Sequence, residues 1–448
     1  MADVTARFAR SAAVLESPRT DLAGFDEWFA RTGERVRTTA ERVPLTALDQ
    51  WYQVPGTGDL RHRSGKFFTV HGLRVRMPDQ AVPGWDQPII DQPEVGILGI
   101  LVKEFDGVPH LLMQAKAEPG NPGGLQLSPT VQATRSNYTG VHRGKPVPYL
   151  GYFRDTARQR VLADVRQSEQ GAWFLRKRNR NMVVETSGDV EVLDGFRWFT
   201  LGQVYRLLAR DDLVNMDART VLACLPHASR PDGALHRMTD VLSWIAGARS
   251  LATVHTERVP LGALEAWRSD AMGYSHESGG FFDVIGVRVT AAGREVGTWH
   301  QPMIEPRGTG VIAFLRREFG GVPHVLAHVR TEPGYADVAE LAPTVQCVPR
   351  SYDRLPPGAR PRYLDEVLAA GAGRVRYEAV LSEEGGRFFH ARNRYLVVDS
   401  DVPEDPGHPD YRWLTMHQLT RLLRHSHYLN VQARSLVACL RATEAAAG

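Results

Sequence analysis

The feature that most constrains this chain is an internal repeat. LQLSPTVQATRSNY from Leu125 to Tyr138 returns as AELAPTVQCVPRSY from Ala339 to Tyr352. ERVPL recurs at Glu41 and Glu257, and SGKFF at Ser64 answers SGGFF at Ser278. WDQPII at Trp85 answers WHQPMI at Trp299, and KEFDGVPHLL at Lys103 answers REFGGVPHVL at Arg317. KRNRNMVVE from Lys177 pairs with ARNRYLVVD from Ala391, and RWFTLGQVYRLL from Arg197 with RWLTMHQLTRLL from Arg412. The offset stays between 214 and 216. A repeat this long is a duplicated domain rather than a short solenoid unit. The expected organisation is two repeats, 1–235 with a helical N-terminal region and 236–448, with the boundary near 230–237 beside ASRPDGAL.

The local patterns predict an α+β fold, with hairpins around a mixed sheet and helices on its faces. FFTVHGLRVR over 67–76 alternates as a half-exposed strand does. VGILGILVKEF and GVPHLLMQAKAE form a hairpin across the DG turn, and GG serves the second copy. A helix is expected over 155–167, then a strand in WFLRKRNRNMVVE, then a helix that Thr200 caps. Asp217 is a candidate cap for ARTVLACL, and a helix over about 236–247 leads into the second copy.

Composition narrows the function classes. The 54 Lys+Arg balance 51 Asp+Glu, so the charge gives no argument for nucleic acid or a membrane surface, though a local arginine cluster suits an acidic small molecule. Cys224, Cys347 and Cys439 are too few for a disulfide scaffold, and an odd count fits a reducing compartment. Cys224 and Cys439 read as small apolar side chains. With no signal segment and no apolar run long enough to span, a cytoplasmic location is expected.

The repeated polar residues leave alternatives open. In both copies PTVQ reads as strand core. The tail that follows holds Thr134, Arg135, Ser136, Asn137 and Tyr138 in one copy, and Arg350, Ser351 and Tyr352 in the other. It is either a solvated turn under a packed tyrosine or a phosphate fork with a stacking ring. The RNR segments carry Arg178, Arg392, Asn393 and Arg394, as a solvated face or as a diphosphate contact. Glu118 and Glu332 end their strands as exposed carboxylates or as acid–base groups. Trp51 and Trp267 are helix-face anchors or nucleobase platforms. His110 and His324 read as surface residues beside the hairpins. His142 has no match in the second copy, and His300 stands where Asp86 does in the first. No HExxH, Cys/His cluster, GxGxxG or P-loop occurs, so metal, nicotinamide and P-loop chemistry lack sequence support.

Taken together, these motifs resemble the NDP-hexose 2,3-dehydratase family of deoxysugar biosynthesis, over almost the whole chain. The resemblance implies tandem Nudix-like domains, a homodimer, no cofactor or metal, and dTDP-4-keto-6-deoxy-D-glucose as substrate. The Nudix hydrolase helix, with its metal-binding carboxylates, is not kept: its places read DVRQSEQG over 164–171 and EAVLSEEGG over 378–386. The implied reaction takes the C3 proton, which the C4 ketone acidifies, and expels the C2 hydroxyl. The candidate proton-transfer groups are Glu118, Tyr138, His300, Glu332 and Tyr352. Lys116, Arg135 and Arg350 are candidates to face the oxyanion, and Trp51, Trp267 and the RNR strands to bind the nucleotide. A nucleotide-sugar isomerase or epimerase and a non-catalytic nucleotide-sugar sensor are the alternatives. Both copies keep these elements, so the repeats do not by themselves reveal which one works.

Overall fold

A computed structural model describes residues 2–17, 19–134, 146–229, 231–292 and 297–447. It contains two similarly built modules of mixed sheet and helix. In the first, a seven-stranded sheet runs in the order Arg160–Ser168, Arg178–Thr186, Gly96–Phe105, Val108–Ala117, Phe196–Thr200. Leu125–Ser128 joins Val108–Ala117, and Val131–Ala133 joins Gly96–Phe105. Arg178–Thr186 lies parallel to Gly96–Phe105, while the neighbouring pairings are antiparallel. The second module repeats this order with Val375–Ser382, Arg392–Asp399, Gly310–Phe319, Val322–Thr331 and Tyr411–Thr415. Gly96–Phe105 and Val108–Ala117 form the expected hairpin. Its turn needs left-handed backbone at Asp106 and Gly107, which is the reason for DG there.

The modules interlock by exchange. Thr38–Val43 of the first pairs antiparallel with Phe282–Ala291 of the second, and His255–Val259 of the second pairs with Thr69–Arg76 of the first. Each ERVPL thus completes the other module's smaller sheet. Trp51 Nε1 donates to the His300 carbonyl at 2.8 Å and Trp267 Nε1 to the Asp86 carbonyl at 2.7 Å. One apolar cluster draws Trp51, Phe68, Ile90 and Phe174 from the first module and Val259, Phe282, Ile304 and Phe388 from the second. Two fully buried arginines cross the junction reciprocally. Arg219 Nη2 donates to the Ser382 carbonyl and Arg434 Nη2 to the Ser168 carbonyl, each at 2.6 Å.

Several expectations need correction. Residues 160–168 form a strand where a helix was expected over 155–167. The ladder shifts register between Val161 and Ala163, and this bulge breaks the alternation into a spacing that imitates a helical one. Thr69–Arg76 is not half-exposed: Val70 packs into one apolar cluster, Leu73 and Val75 into another, and His71 is fully buried. Asn215, not Asp217, caps Met216–Ala223, accepting from the Ala218 N–H at 2.8 Å, which leaves the Asp217 carboxylate free for another use. His110 and His324 are buried, not surface residues: each Nδ1 faces the carbonyl two residues back, and burial lowers both pKa values. Thr200 does cap its helix, in a capping box with Gln203, and Met238–Leu251 is the helix leading into the second copy.

The glycine of each Glu-Pro-Gly turn marks the tightest junction contact. Gly120 N–H donates to the Gly385 carbonyl at 2.7 Å and Gly334 N–H to the Gly171 carbonyl at 2.8 Å. A Cβ at Gly120 would sit 1.8 Å from the Phe388 carbonyl oxygen, and one at Gly334 would sit 1.9 Å from that of Phe174. Gly120→Ala is therefore expected to lower unfolding free energy by about 1–3 kcal/mol, read from urea midpoints. Gly247→Ala, in a helix with open space around the added carbon, is expected to leave stability unchanged or raise it.

Candidate active site

The sheet of the first module ends in a cavity of about 300 Å³ that the second module closes. The first module supplies Lys116 and Glu118 from the hairpin, Gln132 and Thr134 beyond PTV, Glu169 after Arg160–Ser168, and Lys177 and Asn179 at the start of the next strand. Asp217 reaches in from the first turn of Met216–Ala223. The second module adds Trp299, Gln301, Glu384 and Arg387. Without the second module, the cavity would lack one wall.

Its polar groups hold one another in place. Lys116 Nζ lies 3.2 Å from Glu118 Oε1, which also accepts from Gln132 Nε2 at 2.8 Å. Lys177 Nζ donates to the Glu94 carbonyl at 2.5 Å, and Asn179 Nδ2 to Glu169 Oε1 at 2.7 Å. Arg387 donates to Gln92 at 3.1 Å and lies over the Phe68 ring, 4.3 Å from its centre. Burial raises the pKa of Asp217 well above the carboxylate range, and Glu169, Glu118 and Glu384 add to the rise. Glu384 is pushed up to about 7 by burial, against the pull of Arg387. Burial also takes the Lys177 amine down to about 8. Three cations and four carboxyl groups thus share one space, and burial moves the pKa values of Lys177, Glu169, Asp217 and Glu384 toward neutrality, as proton-transfer sites require.

The corresponding place in the second module is filled. Tyr335 stands where Asn121 does in the first copy and is buried, its ring lying 2.5 Å from where a Cβ at Gly171 would be. Ala391 replaces Lys177, Gln432 replaces Asp217, and Val348 replaces Thr134. On the wall contributed by the other module, Gln170 replaces Glu384 and Trp173 replaces Arg387. Glu332 and Gln346 persist, bonded to each other at 3.1 Å, with Arg330 on Glu332 at 2.8 Å. The shell is duplicated, but the open cavity with its lysine and aspartate occurs once among the described residues.

Of the residues expected from sequence, Lys116, Glu118 and Thr134 meet in this cavity. Arg135, Ser136, Asn137 and Tyr138, along with His142, lie outside the described residues. Glu332, Ser351 and Tyr352 belong to the filled counterpart, where Ser351 Oγ accepts from the Phe281 N–H at 3.3 Å and Tyr352 packs on the core; Arg350 is exposed. His300 does not line the cavity; its neighbours Trp299 and Gln301 do, because side chains alternate along the strand. Trp51 and Trp267 are junction anchors rather than base platforms, their indole N–H groups spent on carbonyls of the opposite module. Arg392 pairs with Asp212 and Arg394 with Glu378, each at 2.5 Å, both away from the cavity. Arg178 also lies outside it, where burial and then Arg166 and Arg176 lower its pKa. Asn393 bonds Glu383 at 2.5 Å inside the counterpart.

Sequence reasoning missed Gln132, Glu169, Lys177, Asp217, Glu384 and Arg387, while Asn179, the asparagine of the first RNR, was open between a solvated face and a diphosphate or sugar contact. A signal existed for some of them. In RNR the arginines face outward while the asparagine between them points inward, as period-two alternation requires. Likewise PTVQ is buried at Pro129, Thr130 and Val131, with Thr130 Oγ accepting the Leu101 N–H at 2.8 Å, whereas Gln132 lines the cavity. Positions that differ between the copies, such as Lys177/Ala391 and Asp217/Gln432, were also visible.

A family model for NDP-hexose 2,3-dehydratases matches the chain twice, over residues 22–225 and 238–440. A dTDP-4-dehydro-6-deoxy-alpha-D-glucopyranose 2,3-dehydratase of Amycolatopsis orientalis is 49% identical, with 99% of this chain and 95% of that protein aligned. Proteins of the same description from Saccharopolyspora spinosa and Streptomyces violaceoruber are 49% and 51% identical. Their alignments cover 97% and 94% of this chain, and 94% and 97% of those proteins.

The buried lysine ties the cavity to stability. Folded, the Lys177 amine loses its proton near pH 8, against an ordinary value of 10.5. Between those values the unfolded chain binds more protons, so this group makes stability rise with pH across that window. Lys177→Met is expected to remove the rise, measured as urea midpoints at a series of pH values.

Proposed function

The chain belongs to the NDP-hexose 2,3-dehydratase family, and on that premise we propose that the cavity of the first module is where dTDP-4-keto-6-deoxy-D-glucose loses water across C2 and C3. The observation that carries this assignment is the asymmetry of the copies: one place is open and lined by ionisable groups, and its counterpart is occupied by Tyr335. A space of about 300 Å³ suits a hexose ring rather than a whole nucleotide sugar. The nucleotide then lies beyond the cavity, and the proposal keeps Arg135, Ser136, Asn137 and Tyr138 as its ligands.

The reaction asks for a base at C3, a positive field around the enolate, and an acid at the C2 oxygen. The C4 ketone makes the C3 proton acidic, and charge then develops on the C4 oxygen. Lys116, Lys177 and Arg387 are cations in a site shielded from water, where fixed charges act strongly on a developing oxyanion. The carboxyl groups around them move the protons. Loss of hydroxide from C2 leaves an enol, which tautomerises to the 3,4-diketo-2,6-dideoxy sugar. C3 is oxidised to a ketone as C2 is reduced to a methylene, so the step is redox-neutral in sum and needs no hydride carrier. As part of the same proposal, residues 1–235 and 236–448 are Nudix-like repeats, and the chain works as a homodimer in the cytoplasm. The absence of a helix long and apolar enough to cross a membrane, among the described residues, is in keeping with this.

Mass spectrometry after incubation with dTDP-4-keto-6-deoxy-D-glucose is expected to show loss of one water. Unchanged mass with altered stereochemistry would instead mean isomerisation, and tight binding without reaction a sensor. Lys116→Met and Arg387→Met are each expected to weaken substrate binding or turnover by about 10–100-fold, the worth of one charged hydrogen bond, whereas Arg350→Met is expected to change neither.

A further inference from the structure

Each module contributes one glutamate to the cavity wall. Glu169 follows Arg160–Ser168, and Glu384 follows Val375–Ser382. The internal repeat maps Glu169 onto Glu383 and Glu384 onto Gln170. In the filled counterpart, Gln170 Nε2 donates to Glu383 Oε2 at 2.6 Å, so these two positions lie within hydrogen-bond reach across the junction. At the cavity the amide is replaced by a second carboxyl group.

That replacement changes the proton count. Glu169 Oε1 accepts from Asn179, and Glu384 Oε1 from the Gly386 N–H at 3.0 Å. The remaining oxygens, Glu169 Oε2 and Glu384 Oε2, are both buried with no partner. Two shielded carboxylate oxygens facing one space repel unless a proton joins them, as in other buried acid pairs. The surrounding charges favour a single proton. Lys177, Arg387 and Arg434 attract negative charge to the pair, while Glu118 and Glu383 oppose a second one. The two members are not equivalent. Burial raises both, Glu384 to about 7 against the pull of Arg387, and Glu169 against Arg434, the Asn179 amide and Lys177; only Glu169 has a side-chain amide donating to its carboxyl group.

We propose that Glu169 and Glu384 share one proton and form the acid–base unit of the dehydration, Glu169 taking the C3 proton and Glu384 giving its own to the departing C2 oxygen. This rests on the dehydratase reading of the cavity. The C3–H bond breaks, its electrons enter the enolate, and the enolate then forms the C2–C3 double bond as the C2–O bond breaks. The oxygen leaves as water with the proton of Glu384. Because Glu169 has gained the C3 proton, the pair ends with one proton, as it began. In the gluco configuration H3 and O2 lie on the same face of the ring, so one unit on one side can serve both. The two modules are therefore joined through the chemistry as well as through the fold.

The test uses Glu384→Gln and Glu169→Gln in the full chain, incubated with the keto sugar in D2O. Two readouts are followed: water loss, and deuterium entering C3 of recovered substrate. Glu384→Gln is expected to cut water loss by about 100-fold or more while deuterium still enters C3. Glu169→Gln is expected to abolish both. The amide of Gln170 against Glu383 indicates that Glu384→Gln packs, so its melting temperature and dTDP binding are expected to match the parent. Water loss by Glu384→Gln within tenfold of the parent overturns the proposal, as does loss of its C3 exchange or survival of exchange in Glu169→Gln. Should a variant fail to fold, infrared spectra of the unaltered protein decide: absence of any carboxylic-acid band at neutral pH overturns the shared proton. If the unaltered protein releases no water, the dehydratase reading fails instead.

Discussion

Everything in this molecule depends on the reciprocal closure of two modules. Each lends the other a strand, an indole hydrogen bond, an arginine and a Glu-Pro-Gly turn. Strand exchange satisfies backbone groups that an isolated small sheet would leave at an open edge. The arginines are costly to bury, and the Nε and Nη2 of each donate to a hydroxyl and a carbonyl of the opposite module while Nη1 donates to a carbonyl of its own. Such contacts are available only to the pair. A duplicated gene product that merely tethered two independent domains would show none of them.

The same closure positions the chemistry. Arg434 holds the carbonyl of Ser168, immediately before Glu169, and Arg219 holds that of Ser382, immediately before Glu383 and Glu384. The turn carrying Glu384 and Arg387 is fixed against Gly120, two residues after Glu118. Residues from distant parts of the chain are thereby set into one wall without a flexible loop between them. In the second copy the exchange of Asn121 for tyrosine and of Lys177 for alanine filled the space with a ring and removed the charge.

How far the sequence could be read depended on whether a residue's role was local or distant. The Thr200 cap and the DG hairpin are local features, and their patterns were legible. The strand at Arg160–Ser168 was misread because a bulge changes the spacing on which periodicity relies. Asp217 looked like a cap because caps favour aspartate, yet Asn215 two residues earlier meets the same need. The burial of His110, and the use of Trp51 on a carbonyl some 249 residues away, depend on neighbours that no local pattern records.

By itself the sequence determined the duplication, the α+β order of each copy and the family, because these reside in long ordered motifs and in local backbone preference. Tertiary structure decided which copy holds an open cavity and which carboxyl groups meet there. The physical reason is that burial and proximity alter a carboxyl group's proton affinity, and both come from partners across the junction. Glu169 and Glu384 are ordinary glutamates in the chain. They become a pair only where two modules close on each other.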